Sequence, residues 1–264
     1  MTEANLVYAD ILGYRPLRLD LHVPAGAGPW PLVVWVHGGA WRNGDRKSLP
    51  DTYGSLGFFD RIQRRGYAVA SVDYRLSAEA TFPAQLDDVR AAIRWLRENA
   101  ADRRLDPGRF ATWGESAGGH LAAMAALVAD GPEVHAVVDW YGPSDLSVMD
   151  SGDADDPGTQ LLGGTRSPEA VALASPVEHA HMGAPPFLCV HGTGDQIVPY
   201  SQSEHLAAVL HAYGVRCDLH PVPGADHIFR GAPDVAALIE ASLDFLDDVL
   251  KPGHGAAVGS SGQA

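Results

Sequence analysis

The sequence predicts an α/β fold, a mostly parallel central sheet flanked by helices. Three observations carry that prediction. Apolar, β-branched runs alternate with helical patterns along the chain, as expected when successive parallel strands are joined by crossover helices that cover both faces of the sheet. Several of those runs end in glycine-containing turns, the punctuation that closes a strand and redirects the chain. With 264 residues, 46% of them apolar, the chain can bury a substantial core, and α/β proteins of this length commonly form one domain.

An opening pair of strands, at 6–12 and 16–23, reads as a hairpin turning near Gly13, and antiparallel strands at one end are normal in mixed sheets. Central strands are expected at 32–36, 67–72, 110–113, 134–140, 187–190 and 217–222. Between the second and third of these, within 85–99, Leu86, Val89, Ile93 and Leu96 recur at helical spacing and form a core-facing stripe. Ser201-Gln202-Ser203-Glu204 has the form of a capping box ahead of Leu206, Val209 and Leu210, so a helix starts shortly after Asp195 and leaves Asp195 on a loop. Residues 143–185 lack a clear strand, carry Asp150, Asp153, Asp155 and Asp156, and contain the turn-forming Gly163-Gly164. They read as a small cap or lid insertion. The tail at 252–264 is rich in Gly, Ala and Ser and has too few apolar groups to order itself. The expected organisation is therefore one domain over 1–251, a cap at 143–185, and a disordered tail.

Charge and targeting features narrow the partners. A formal net charge of −14 repels nucleic acid and anionic membrane alike. The chain opens Met-Thr-Glu-Ala-Asn with no basic segment and apolar core behind it, and no apolar run approaches the ~20 residues that span a bilayer. The expectation is a cytoplasmic protein, with the choice between monomer and homodimer left open. Cys189 and Cys217 sit in strand-like apolar contexts and read as buried free thiols, with no metal-site spacing.

Chemistry enters with Gly114-Glu115-Ser116-Ala117-Gly118, which follows an apolar run and opens a long apolar helical pattern. A strand that turns at once into a helix forces the turn residue into a strained conformation that only small neighbours allow, so Ser116 is predicted to be exposed as a nucleophile. Among 29 glycines the pentapeptide alone is a weak signal. Three further motifs strengthen it. His37-Gly38-Gly39-Ala40-Trp41 ends one strand and can turn backbone N–H groups toward a bound acyl group. His191-Gly192-Thr193-Gly194-Asp195 ends another and delivers a carboxylate. Pro223-Gly224-Ala225-Asp226-His227 follows 217–222 and delivers a histidine. The chain order Ser116, Asp195, His227 is that of the α/β-hydrolases.

On these motifs, with Gly119-His120 and Gln196-Ile197-Val198-Pro199 extending two of them, the sequence resembles α/β-hydrolase esterases of the hormone-sensitive-lipase and feruloyl-esterase-like branches. The resemblance spans 17–250. His-Gly-Gly-x-Trp also occurs in kynurenine formamidases, which keeps an arylformamidase or other amide hydrolase as the alternative. A binding protein on a hydrolase scaffold is a third reading, opposed by the presence of all three of Ser116, Asp195 and His227. Position 40 is Ala where the lipase pattern has a third Gly, and the N-terminal cap helices of lipase relatives are not expected in the short stretch before Leu17. Both features argue against large lipid substrates.

The mechanism this implies needs no cofactor and no metal. A serine hydroxyl is a poor nucleophile near neutral pH, so Ser116 needs a base such as His227, oriented by Asp195. Oxyanion donors are expected from the N–H of Ala117 and from Gly39 with Gly38 or Ala40. Asp139 and Asp145 are rival acids, and Asp226 adjoins His227 too closely to pair with it. His120, His37 and His191 read as structural; His181, His205, His211 and His220 read as surface or rim residues. Glu115 is expected to be buried against 73–75 with Arg75 as its partner. Trp41, Trp140, Tyr141, Ile197, Ile228 and Phe229 flank the site as candidate substrate-binding residues. The expected partner is a small uncharged ester of a short-chain or aromatic acid, an acetylated sugar being one concrete form.

Overall fold

The computed structural model describes residues 1–149, 152–153 and 155–251, so Asp150 and the tail expectation for 252–264 lie outside the described residues. Eight strands form one sheet: β1 (Thr2–Ala9), β2 (Leu17–His22), β3 (Trp30–Val36), β4 (Ala68–Val72), β5 (Leu105–Glu115), β6 (Ala136–Trp140), β7 (Phe187–Gly192) and β8 (Cys217–Val222). Their order is β1-β2-β4-β3-β5-β6-β7-β8. The β1/β2 and β2/β4 pairs are antiparallel and all others are parallel.

The helices are α1 (Asp51–Gly54), α2 (Phe58–Arg64), α3 (Ala84–Glu98), α4 (Ala117–Leu127), α5 (Pro157–Leu161), α6 (Pro168–Leu173), α7 (Ser201–Ala212) and α8 (Val235–Leu250). Successive side chains of a strand point to opposite faces, and that alternation divides the core. Leu32, Val34 and Val36 pack with the α3, α4 and α7 side chains on one face, whereas Val33 and Trp35 pack with Tyr53, Phe58, Ile62 and the α8 leucines on the other. The stripe of Leu86, Val89, Ile93 and Leu96 is buried as its spacing requires. α4 is buried along its whole length except at Ala126, because its glycines and alanines let the helix lie close against β3, β5 and β6.

Some boundaries depart from the sequence expectation. β5 begins at Leu105 rather than near 110, and β7 runs on to Gly192, which places His191 inside the strand. The capping box at Ser201 does not form: α7 starts at Ser201 itself after a helical Tyr200, with no side-chain cap. Ser203, inside the motif, meets His191.

Residues 143–185 hold no strand among the described residues. They contain two 3-10 turns (Leu146–Val148 and Pro176–His179) and the short helices α5 and α6, opened by the side chains of Asp156 and Ser167. Cys189 and Cys217 are buried, free and 3.8 Å apart on adjacent strands. Among the described residues no helix is long and apolar enough to cross a membrane.

Candidate active site

Ser116 joins β5 directly to α4, with φ 54° and ψ −123°. A side chain in this region is strained, and the backbone keeps it there by crowding: a methyl on Gly114 would overlap the Gly118 carbonyl, and one on Gly118 would overlap the Val36 carbonyl. The Ser116 N–H donates to Trp140 O (2.9 Å), and His120 N–H donates to Ser116 O (3.0 Å). The hydroxyl caps nothing and faces His227, its Oγ 2.8 Å from Nε2.

His227 comes from the turn after β8, and its Nδ1 lies 2.6 Å from Asp195 Oδ2. A carboxylate only accepts, so Nδ1 carries the proton and Nε2 is left to accept from the Ser116 hydroxyl. Asp195 is buried at the end of β7. Its Oδ1 accepts the N–H groups of Ile197 (2.8 Å) and Val198 (3.0 Å). Its Oδ2 is also 3.2 Å from His191 Nε2, which donates to Val198 O at 2.8 Å, while His191 Nδ1 accepts from Ser203 Oγ at 2.7 Å. Burial alone would push the Asp195 carboxyl up, but these hydrogen bonds from His191, His227 and the backbone outweigh it and hold the group well below the usual carboxylate range. The rival acids are engaged elsewhere: Asp139 accepts Gly142 N–H, Asp145 accepts Ser147 N–H, and Asp226 accepts the N–H groups of Ile228 and Arg230.

The glycine turn after β3 is left-handed at three successive residues, Gly39, Ala40 and Trp41, with φ of 112°, 55° and 57°. Gly39 O accepts from the N–H groups of Arg42 and Asn43, and Trp41 O from Ser77 N–H. The N–H groups of Gly39, Ala40 and Ala117 meet no protein acceptor among the described residues. Gly38 differs from its expected role, because its N–H donates to Glu115 Oε1 at 2.9 Å and is unavailable to an oxyanion. Glu115 itself is buried without the expected Arg75, which pairs with Asp88 at 2.7 Å. Burial raises its carboxyl above the usual range, opposed by Gly38 N–H, by the nearby His227 and by the hydroxyls of Tyr141 and Tyr53.

Of the six candidate substrate-binding residues, two reach the cavity over Ser116. It measures about 250 Å³ and is lined by Ala40, Trp41, Ser116, Ala117 and Ile197, closed by Leu146, Met149 and Pro157 from the segment 143–185. Trp140, Tyr141 and Phe229 are fully buried in the aromatic core; the Trp140 indole donates to Ser242 Oγ and Tyr141 Oη lies 3.2 Å from Tyr53 Oη. Ile228 lies outside the cavity lining, and its carbonyl accepts from Thr52 Oγ1. Leu146 and Met149 carry no individual signal in the sequence beyond their place in the expected cap. Asp156, on the same wall, accepts Thr159 N–H and pairs with Arg166 at 3.1 Å.

His120 ties this wall to the turn. Its Nδ1 accepts from the Trp41 indole (3.1 Å) and its Nε2–H donates to Ala174 O (2.7 Å). Burial pushes its imidazole down to about 4, so both bonds are made by the neutral ring.

The family model BD-FAE matches residues 19–210. Esterase LipQ of Mycobacterium tuberculosis (strain ATCC 25618 / H37Rv) is 34% identical over 87% of this chain and 58% of its own length. Esterase LipC of the same organism is 31% identical over 76% and 53%. The chain thus spans little more than half the length of these relatives. Among solved structures, a truncated form of a carbohydrate esterase from gut microbiota superposes with a TM-score of 0.83 at 30% identity, covering 95% of this chain and 96% of the other. Native esterase Est2 of Thermogutta terrifontis gives 0.79 at 26% identity, covering 95% and 94%. The sheet, its crossovers and these likenesses make the fold that of the α/β-hydrolase esterases, and with well over half of its length matched by the family model, the chain belongs to the BD-FAE family.

Proposed function

We propose that this chain is a serine carboxylesterase acting on small uncharged esters through Ser116, His227 and Asp195. The observation that carries the reading is His227 bridging Ser116 Oγ and Asp195 Oδ2 at 2.8 and 2.6 Å beneath a cavity of about 250 Å³. His227 Nε2 takes the Ser116 proton as Oγ attacks the ester carbonyl. The oxyanion forms against the N–H groups of Gly39, Ala40 and Ala117, each such donor worth ~3 kcal/mol in a transition state. His227 returns the proton to the departing alcohol, leaving the acyl group on Ser116. Water, deprotonated by the same nitrogen, then releases the acid. Asp195 holds the imidazole tautomer and stabilises its cation.

The cavity supports the substrate class. Its volume suits a short or single-ring acyl group, and the apolar wall of Trp41, Leu146, Met149 and Ile197 favours an uncharged one. Relatives named as esterases, and a neighbour named as a carbohydrate esterase, agree with an ester of a sugar or similar small alcohol. The charge of −14 sets the reading against nucleic acid or anionic membrane as partner. The His-Gly-Gly-x-Trp turn is what keeps N-formyl aryl amides as a second substrate class.

The test is release of p-nitrophenol from acetate and longer acyl esters by the chain and by its Ser116→Ala and His227→Ala variants, with an N-formyl aryl amide in parallel. Turnover that favours short chains and disappears in both variants is expected. A folded chain inert on every ester but active on the formyl amide would transfer the assignment to the second class.

A further inference from the structure

Three successive left-handed residues at Gly39, Ala40 and Trp41 need an external hold, because two of them carry side chains that disfavour this conformation. The turn's first N–H, that of Gly38, is aimed away from the cavity and donates to Glu115 Oε1 at 2.9 Å. Glu115 is the last residue of β5 and the immediate neighbour of Ser116, pointing to the opposite side of the strand end. The fit around it is close: a methyl group on Gly38 would come within 2.5 Å of the same oxygen. The carboxyl is buried, and no lysine or arginine pairs with it among the described residues. The hydroxyls of Tyr53 on α1 and Tyr141 after β6, themselves 3.2 Å apart, also face it. Tyr74 donates to His37 O at 3.0 Å, at the start of the turn.

A buried carboxyl without a cation is costly to keep, and here its contacts converge on the peptide that opens the oxyanion turn. We infer that Glu115 is a positioning residue for catalysis: by taking the Gly38 N–H it fixes the turn so that Gly39 and Ala40 present theirs to the oxyanion formed at Ser116. One strand end then sets both the nucleophile and the donors facing it. Tyr141 extends the arrangement toward the base, since its ring lies 4.8 Å from that of His227. The inference rests on the esterase reading above, since it concerns the donors that such a reaction uses.

Steady-state hydrolysis of p-nitrophenyl acetate by Glu115→Gln, Glu115→Asp and Glu115→Ala tests it, with thermal unfolding of each variant. Glu115→Gln keeps an acceptor oxygen at the same reach, so its kcat stays within about fivefold of the parent. Glu115→Asp keeps the charge but withdraws the oxygen by one methylene, and Glu115→Ala removes it. Both lose kcat by about 100-fold, the scale of one oxyanion donor, with KM changed by less than about threefold. The inference is overturned if Glu115→Ala or Glu115→Asp keeps kcat within about threefold of the parent, if the Gln variant falls as far as the Ala variant, or if the loss lies in KM alone. Should the Ala variant fail to fold, the comparison of Gln with Asp still decides. A parent chain that is inert, or a Ser116→Ala variant as active as the parent, would defeat the esterase reading and this inference with it. An active parent with indifferent Glu115 variants defeats the inference alone.

Discussion

Asp195 shows how much of this site rests on the bonding of single atoms. Each of its carboxylate oxygens is fully used, Oδ1 by the N–H groups of Ile197 and Val198 and Oδ2 by the rings of His227 and His191. An Asn at this position that kept the backbone bonds would turn its amide N–H toward His227 Nδ1–H, a clash of donors that favours the wrong imidazole tautomer. Asp195→Asn should therefore lower kcat by about 10³–10⁴-fold with little change in KM, read by steady-state ester hydrolysis; a loss below about tenfold would remove Asp195 from the role. The same bonds have a sign in stability. The native carboxyl is held below its ordinary value near ~3.9, so its contribution is fully present above that pH and is lost as pH falls toward the depressed native value. The Asn variant should accordingly show a shallower fall in melting temperature below about pH 4 than the parent.

At the scale of elements, the site is assembled where β3, β5, β7 and β8 end on the same side of the sheet, as parallel strands with return crossovers require. The ends are coupled through α4. His120, one turn into that helix, links the Trp41 indole of the glycine turn to the Ala174 carbonyl beyond α6. Removing the ring would leave a buried indole N–H and a carbonyl without partners, worth about 1–3 kcal/mol. His120→Ala should lower the melting temperature and make 143–185 cleave faster under limited proteolysis, while Ser116 and His227 remain in place and part of the activity survives. Equal cleavage rates in parent and variant would show that the His120 bridge does not hold the segment. The bridge also has a pH sign. The native imidazole is lowered to about 4 against an ordinary ~6.5, so its contribution is present above that ordinary value and is lost as pH falls toward 4.

For the whole molecule, what could be read from sequence divides along a physical line. Strand placement was legible because a strand covered on both faces has to be apolar along its length, and the motif residues at strand ends were legible because sharp turns demand glycine. Facing was harder. Trp140, Tyr141 and Phe229 lie near Ser116 in the fold, yet their side chains belong to the aromatic core with Trp35, Phe58 and Trp113, and apolar character suits a core and a pocket wall equally. Glu115 found a backbone N–H instead of Arg75 because a peptide partner leaves no mark in the sequence. Asp139 is a further case, a polar residue in the interior of β6, paired in register with Gly114 and Cys189 and bonded to Gly142 N–H at 2.9 Å. Burial pushes its carboxyl up to about 6, with Gly142 N–H and the nearby His191 opposing. The fold therefore binds this proton more tightly than the unfolded chain does, and the parent should lose stability as pH rises from about 4 through about 6. Asn keeps an acceptor for Gly142 and carries no charge, so Asp139→Asn should be relatively more stable at pH 8 than at pH 5. The gap between variant and parent should widen by about 1 kcal/mol over that range, measured by denaturant unfolding at both pH values. A gap that stays constant with pH would mean that Asp139 titrates alike in the folded and unfolded chain, and that its burial is offset by contacts other than the single bond to Gly142.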